Sequence, residues 1–243
     1  MDEPVSRARF VVESCPGPGE EVRLVRAELS HLRARRLAPG QAVVLVDGSG
    51  REAVARLSEL SRTGARLIVE TVSLREADAP AIEILVAGVR LERLSWIAEK
   101  ATELGAARIV LVASAWTQAH RAGASVRERL ARVVREAAKQ SESVRWPSID
   151  GPIAFEKAIG EARPGHRILL DFDGAPFPPR LSGPVAILVG PEGGWIDSER
   201  ALAREAGWFA TALPAGKLRA ETAAVAALVL ARAALAQGEG GRR

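Results

Sequence analysis

The sequence predicts an α/β protein: a mostly parallel sheet covered by helices on both faces, preceded by a small N-terminal β-barrel. Residues 1–73 carry short strand patterns separated by turn signals, whereas apolar strands alternate with helical periods from residue 81 onward. The polar segment 74–80, which ends in Pro80, is interpreted as a linker. The second domain is therefore predicted to span residues 81–243.

The composition is that of an ordinary globular protein. Of the 243 residues, 47% are hydrophobic and 26% are charged, and a chain of this length can bury a sizeable core. No uninterrupted apolar run reaches the roughly 18 residues of a membrane span. The N-terminus also lacks the apolar core of a signal peptide. We therefore expect a cytoplasmic protein without a membrane partner.

Disulfide and metal chemistry are not expected. The single cysteine, Cys15, excludes an internal disulfide. His31, His120 and His166 lie too far apart in sequence to give a metal-ligand spacing. We therefore predict that the protein holds no metal ion.

The basic residues agree with a nucleic-acid partner. The net charge is +4 and the pI is about 9.9, and only four of the 34 basic residues are Lys. Arg makes planar, bidentate contacts to phosphate and stacks on bases. An Arg-rich composition can also reflect genome base composition or a high working temperature, so the charge alone does not distinguish these explanations.

The N-terminal module is predicted from short strands joined by turns. The segment 47–50, Asp-Gly-Ser-Gly, is a hairpin signal, and Ser30 is placed to cap a short helix that ends at Pro39-Gly40. The predicted strands are 8–13, 21–25, 41–46, 51–57 and 65–72.

Several arginines are expected at or near one end of this barrel. They form either an RNA-binding surface or a solvated charged face, and composition does not decide between the two. These residues are Arg7, Arg9, Arg33, Arg35 and Arg36.

The second domain is predicted from five apolar strands and the helical periods between them. The strands are 81–89, 108–113, 167–171, 185–189 and 208–213. The helices are 91–104, 125–141, 155–161, 198–206 and 221–236, of which the second opens with a capping box at Ser125 and the fourth is capped by Asp197. Loops are expected at 116–124, through Pro147 and Pro152, and at 173–179.

A glycine-rich loop follows the strand at 185–189. It reads Gly190-Pro191-Glu192-Gly193-Gly194 and lies where open α/β sheets bind ligands, at the carboxyl end of a strand. The loop has neither the Lys of a P-loop nor a G-x-G-x-x-G spacing. Glu192 would repel a phosphate and tolerate a cationic or neutral ligand. Taken alone, the segment fits a strand-to-helix turn as well as a ligand site.

A second segment, Leu218-Arg-Ala-Glu-Thr-Ala223, changes that balance. With the glycine loop it resembles the RsmE family, the ribosomal RNA small subunit methyltransferases E within the SPOUT superfamily. The resemblance covers nearly the whole chain. Further segments that agree, in the family's order, are Ser30-His-Leu, the turn at 47–50, residues 90–96, residues 99–105 and residues 135–141.

The resemblance implies a PUA-like N-terminal barrel, a SPOUT domain with a trefoil knot, and a homodimer. It implies S-adenosylmethionine as the methyl donor, and N3 of one uridine in the 16S rRNA of the small ribosomal subunit as the acceptor. A sulfonium cofactor also agrees with Glu192 and the absence of a basic residue in the glycine loop. The implied cofactor-binding residues are Leu188, Gly190, Gly193, Leu213, Leu218 and Thr222.

Uridine N3 must lose a proton when it is methylated, which requires a general base or a cation that stabilises the developing anion. Arg219 is the candidate cation, and Glu221 and Glu192 are the candidate bases. Glu221 could instead stabilise the start of the last helix, and Glu192 could hold its own loop. Arg90 and Arg93 match family positions on the substrate side and are predicted to bind RNA.

Two departures from the family pattern concern the segment after residue 135. Lys139 stands where Glu is usual, and Ser143 stands where Arg is common, so any salt bridge of the family at these positions is in doubt. Two other functions remain open at this point: a non-catalytic RNA-binding scaffold with a degenerate methyltransferase domain, and a SPOUT enzyme that acts on another RNA. The sequence also does not distinguish free rRNA from an assembled subunit as the substrate.

Overall fold

The computed structural model describes residues 8–77, 79–113, 124–162 and 165–239. Contacts divide the chain into two units. The first unit comprises Met1–Ala77 and Ala138–Arg145, and the second comprises Asp78–Ala137 and Trp146–Arg243. The grouping of residues 138–145 with the first unit is absent from the predicted domains.

In the residues that the structure describes, the first unit is a five-stranded sheet against which a helix packs. Its strand order is β1-β3-β4-β5-β2, in which β1 and β3 are parallel and the other neighbours are antiparallel. Alternating residues of β4 and β5, including Leu57 and Leu67, face the core, so the predicted β-rich module is confirmed. The elements are β1 (Arg9–Val11), β2 (Glu21–Leu24), α1 (Arg26–Ala34), β3 (Ala42–Val46), β4 (Arg51–Leu60) and β5 (Ala65–Leu74).

The cap predicted at Ser30 is wrong, because α1 already begins at Arg26. Inside the helix, the Ser30 hydroxyl donates to the Arg26 carbonyl at 3.2 Å, the usual way for a helical serine to satisfy itself. Leu29 and Leu32 are buried on the same helix and anchor it to the core.

The hairpin predicted at 47–50 is confirmed, because β3 and β4 pair as antiparallel neighbours on either side of it. The Asp47 carboxylate accepts hydrogen bonds from the Ser49 and Cys15 backbone N–H groups, at 3.0 and 2.9 Å. Cys15 is buried beside it, and burial, together with Asp47, raises the pKa of the Cys15 thiol to about 11. This residue is therefore a neutral thiol packed in the barrel.

The second unit is a six-stranded sheet with helices on both faces. All neighbouring strands are parallel, in the order β11-β9-β10-β6-β7-β8. The elements are β6 (Ile82–Ala87), α2 (Leu91–Glu103), β7 (Arg108–Ala113), α3 (Ala124–Gln140), β8 (Ser148–Ala154), α4 (Phe155–Glu161), β9 (His166–Pro176), β10 (Val185–Val189), α5 (Asp197–Glu205), β11 (Phe209–Ala212) and α6 (Ala220–Glu239).

The sheet separates two apolar cores. On β10, Val185, Ile187 and Val189 pack on one side, with α2, α3 and α6, whereas Ala186 and Leu188 pack on the other side, with α4 and α5. A strand buried on both faces reads as a continuous apolar run, which is why the sequence predicted β10 correctly.

The largest differences from the prediction are in two strands of the second unit. Residues 148–154, predicted as a loop, form β8 because a proline is tolerated on an edge strand, and Pro152 lies where the register with β7 shifts. Strand β9 continues to Pro176, five residues beyond its predicted end. The absence of a side chain at Gly174 allows this pairing, since a Cβ there would lie 2.3 Å from the Thr211 nitrogen of β11.

Two later helices begin at or before the residue that was predicted to cap them. Helix α5 begins at Asp197, so this residue is not the cap; the Glu199 carboxylate instead accepts from the Ile196 N–H at 3.2 Å. Helix α3 already includes Ala124, one residue before the capping box predicted at Ser125. The rest of the loop predicted at 116–124 lies outside the described residues.

Helix α6 is long and apolar enough, by length and composition, to cross a membrane. Its buried residues, such as Ala224, Leu228 and Leu235, pack in a core of the sheet, as expected for the core helix of an α/β unit. Its Arg232 guanidinium donates to the carbonyls of Leu104 and Pro80, each at 3.1 Å, and burial lowers the pKa of this group. This cation thus satisfies one carbonyl at the end of α2 and another just before β6.

The end of α3 explains the departure at Lys139. Its ammonium group forms an ion pair with Glu28 of α1, and the two side chains are only 12% and 17% exposed. The charge that differs from the family pattern therefore has an acidic partner within the first unit. The Arg145 guanidinium also has a partner within the first unit, because it donates to the Arg75 carbonyl at 2.7 Å. For Ser143, the structure gives a hydroxyl contact with Ser141 at 2.9 Å.

Lys139→Glu is expected to lower the free energy of unfolding by about 3 kcal/mol, because it leaves two carboxylates facing each other in a largely buried place. The matched control is Lys157→Glu, since Lys157 pairs with Glu161 where the side chains are 61% and 52% exposed. We expect the control to cost less than about 1 kcal/mol. Urea unfolding followed by circular dichroism measures both, and equal losses would contradict a special role for the Lys139 pair.

Candidate active site

A cavity of about 300 Å³ opens at the carboxyl ends of β10 and β11, beside the middle of β9. Parallel α/β sheets bind ligands at this edge, and the volume is at the lower end of the range for small-molecule sites. The glycine loop, residues 190–194, forms one wall. The opposite walls come from residues 170–173 in the middle of β9 and from residues in the segment 211–218.

The glycine loop is held by close packing on two sides. The buried Trp195 donates its indole N–H to the Leu170 carbonyl at 3.0 Å, and a Cβ on Gly190 would lie 2.9 Å from this indole. On the other side, a Cβ on Gly88 would lie 2.5 Å from Pro191. Gly190 is therefore required by the tryptophan that lies against it, a reason that the sequence did not reveal.

Four of the six predicted cofactor-binding residues line the cavity: Gly190, Gly193, Leu213 and Leu218. Leu188 does not, because alternate residues of β10 face opposite sides of the sheet and Leu188 packs in the core with α4 and α5. Thr222 does not line it either. It is exposed on the first turn of α6, whereas Ala220 and Ala223 face the cavity.

The sequence missed the charged residues from β9 and α5. The nearly buried Asp171 carboxylate pairs with the Arg200 Nε at 2.6 Å, and this hydrogen bond raises the pKa of the Arg200 guanidinium. Three carboxylates, those of Asp171, Asp173 and Glu192, line the cavity against two cations, Arg200 and Lys217. The lining thus carries a net negative charge, which favours a cationic ligand. The position of Asp171 at the end of the strand predicted at 167–171 was the available signal.

Three predicted site residues form one ion-pair cluster, here called the Arg93 cluster: Arg93, Glu192 and Glu221. The Arg93 Nη1 donates to Glu192 Oε1, and the Arg93 Nε lies 3.6 Å from Glu221 Oε1. Glu192 is 47% exposed, whereas Glu221 is 16% exposed. The second oxygen of Glu221, Oε2, is buried and has no hydrogen-bond partner in the described part of the chain. Both candidate bases therefore share one cation.

Arg219 and Arg90 remain free of such pairs. Both are exposed, and neither guanidinium makes an ion pair or hydrogen bond with a residue that the structure describes. Arg219 immediately precedes α6 and does not line the cavity itself, although its neighbours Leu218 and Ala220 do. Arg90 precedes the first turn of α2.

The barrel arginines have different environments. Arg9 is largely buried and pairs with Glu52 at 2.9 Å, so it has a structural partner within the sheet. The Arg33 guanidinium donates to the carbonyls of Ser61 and Arg62, at 2.8 and 2.7 Å. RNA contacts of Arg9 and Arg33 stay predictions, and Arg7 lies outside the described residues.

Family models match both units. A model described as an RNA methyltransferase domain matches residues 76–232, and one described as an RNA methyltransferase PUA domain matches residues 26–70. These two ranges fall largely on the six-stranded and the five-stranded sheet, respectively.

Named relatives agree with the family models. The chain is 32% identical to a ribosomal RNA small subunit methyltransferase E of Mycobacterium bovis, covering 90% of this chain and 88% of that protein. It is 31% identical to a protein of the same name from Synechocystis sp., covering 88% and 73%. The crystal structure of a ribosomal RNA small subunit methyltransferase E from Neisseria gonorrhoeae, bound to S-adenosyl methionine, matches with a TM-score of 0.82 at 26% identity, over 92% and 95%.

Gly190→Ala is expected to lower the free energy of unfolding by about 1–3 kcal/mol, because the added methyl group collides with Trp195. Gly216→Ala is the matched control. Gly216 also lines the cavity, but a Cβ there meets nothing within 4 Å. We expect the control to change stability by no more than about 0.5 kcal/mol. Thermal unfolding measures both, and a stable Gly190→Ala protein would show that the loop adapts to the added methyl group.

Proposed function

The chain belongs to the RNA methyltransferase family, and from this premise we propose that it transfers the methyl group of S-adenosylmethionine to N3 of a uridine in 16S rRNA. The observation that carries the proposal is the 32% identity, over 90% of this chain, to a ribosomal RNA small subunit methyltransferase E. The scaffold alternative has less support, because four of the predicted cofactor residues line one cavity.

The residues of the cavity fit S-adenosylmethionine. The cofactor carries a sulfonium cation, and Asp171, Asp173 and Glu192 give the lining an acidic excess. The backbone of the glycine loop and the apolar side chains of Leu213 and Leu218 are suited to an adenine ring, which needs polar backbone groups and apolar walls. When bound, the cofactor supplies an electrophilic methyl group.

The transfer forms an N3–carbon bond, breaks the sulfur–carbon bond and releases the N3 proton. We propose that a carboxylate of the Arg93 cluster receives the proton and that Arg219 stabilises negative charge on the uracil. Arg219 suits this role because it is exposed beside the cavity and its guanidinium has no partner among the described residues. Glu192 lines the cavity, and Glu221 lies on the adjoining turn of α6.

The barrel, a second copy of the chain and the site of action complete the proposal. The PUA match on the first unit supports an RNA-binding role for the barrel, with exposed Arg35 and Arg36 on or next to α1. A homodimer is proposed because an apolar groove that includes Phe177, Leu213 and Leu230 remains open beside α6. We further propose that the protein acts in the cytoplasm, where ribosomal subunits are assembled, and without a metal ion.

The proposal is tested by methyl transfer with purified protein. The substrates are 16S rRNA and 30S subunits from a strain that lacks the corresponding gene, with radiolabelled S-adenosylmethionine as donor. We expect label in 3-methyluridine after digestion to nucleosides, and the preferred substrate identifies whether free rRNA or the assembled subunit is methylated. Label on a ribose 2′-OH, or persistence of 3-methyluridine in the deletion strain, would contradict the proposal.

Arg219→Ala is expected to lower kcat about 100-fold or more, because it removes a charge that stabilises the transition state. The affinity for S-adenosylmethionine should change by less than about threefold, since Arg219 does not line the cavity. Single-turnover kinetics and calorimetric titration separate the two effects, with Arg219→Lys as the charge-retaining control. Equal losses of rate and affinity would remove Arg219 from the catalytic residues.

A further inference from the structure

We propose that Arg93 is a positioning residue of the methyl-transfer site, which fixes the glycine loop and the start of α6 by pairing with Glu192 and Glu221. The inference rests on the proposed function and deepens it. This role differs from the RNA contact that the sequence predicts for Arg93. It means that one arginine holds both candidate bases, Glu192 and Glu221, in position.

The geometry joins three distant segments at one guanidinium. Arg93 lies in the first turn of α2, Glu192 lies in the glycine loop, and Glu221 lies in the first turn of α6. Arg93 and Glu192 are separated by 99 positions in sequence. The Nη1 of Arg93 serves one carboxylate, while its Nε faces the other at 3.6 Å. A planar guanidinium can address two carboxylates in this way, whereas an ammonium group presents a single point charge.

The charges also require this arrangement. Glu221 is 16% exposed, and its Oε2 lacks a hydrogen-bond partner in the described residues, so a nearby cation must offset the cost of burying its charge. Arg93 is the cation within ion-pair distance of both carboxylates in the described chain. Without it, Glu192 and Glu221 would repel each other across the same small space.

The Arg93 pair holds the part of the cavity wall that contains Glu192. Trp195 and Gly88 hold the glycine loop at Gly190 and Pro191, and the Gly194 N–H closes the turn by donating to the Pro191 carbonyl at 2.9 Å. The Glu192 side chain itself is held by the pair with Arg93. Loss of Arg93 should therefore loosen the part of the wall that contains Glu192, which must then be ordered when the cofactor binds. Ordering a loop during binding reduces affinity.

The test measures the affinity for S-adenosylhomocysteine, the neutral reaction product, so that the altered charge of the cavity has little direct effect. Arg93→Ala and Glu192→Gln are each expected to weaken binding about tenfold, because each frees the same part of the loop. The double variant should bind no more weakly than the weaker single variant, since both changes remove one interaction. Losses that multiply, to about 100-fold, would show that the two residues act independently and would overturn the inference.

Arg90→Ala is the matched control for affinity, because Arg90 lies just before α2, does not line the cavity, and its guanidinium has no partner in the described residues. It should bind S-adenosylhomocysteine like the wild type. Arg93→Lys, which keeps the charge but not the fork of donors, should fall between Arg93→Ala and the wild type. An Arg93→Ala protein that binds S-adenosylhomocysteine normally but RNA more weakly would assign Arg93 to RNA binding instead.

Folding is controlled separately. Arg93→Ala leaves Glu221 buried without its cation, so the double variant Arg93→Ala/Glu221→Gln removes that charge and should regain thermal stability. If it folds like the wild type yet still binds S-adenosylhomocysteine about tenfold more weakly, the positioning role is supported. Restored affinity in this variant would show that the loss came from misfolding and would contradict the inference. A wild-type protein that binds neither S-adenosylhomocysteine nor S-adenosylmethionine would refute the proposed function itself.

Discussion

All six strands of the second unit run parallel, and the position of the site depends on this constraint. Parallel strands end at one edge, so segments far apart in sequence meet there without any local signal that they do. The carboxyl ends of β10 and β11 and residues 170–173 of β9 supply the walls of the cavity, and the helices that cover the sheet begin at the same edge. The first turns of α2 and α6 therefore bring Arg93 and Glu221 to the glycine loop.

Most helices and strands could be predicted from the sequence, because the pattern of apolar residues that identifies each one lies within the element itself. Strand β10 is an unbroken apolar run, and α2 places its apolar residues at helical spacing. Strand β8 was missed because Gly151 and Pro152 are breakers in most contexts and are tolerated here only at a sheet edge. The extension of β9 depends on a close approach at Gly174, which involves a partner strand that a single sequence does not identify.

The candidate site also contains residues that the sequence predicted and residues that it did not. Motif reasoning found the glycine loop and the residues Arg93, Glu192 and Glu221, because each lies in a distinctive segment. The sequence assigned Arg93 to RNA and the two glutamates to proton transfer, because an ion pair across 99 positions leaves no local pattern. It also missed Asp171 and Arg200, whose pairing depends on how α5 packs beside β9. The sequence thus identified several residues of the site but not the ion-pair partners that decide their roles. The knot and the dimer stay predictions that rest on the family resemblance.

The separate grouping of residues 138–145 bears on how such a protein can change over evolutionary time. The first unit takes its last piece of chain from a point far inside the segment that builds the second. Exchange of residues 1–77 by a single gene fusion would leave Lys139 without Glu28 and Arg145 without the Arg75 carbonyl. The two units therefore cannot be exchanged independently during evolution. A new barrel would require coordinated changes at two distant places in the gene.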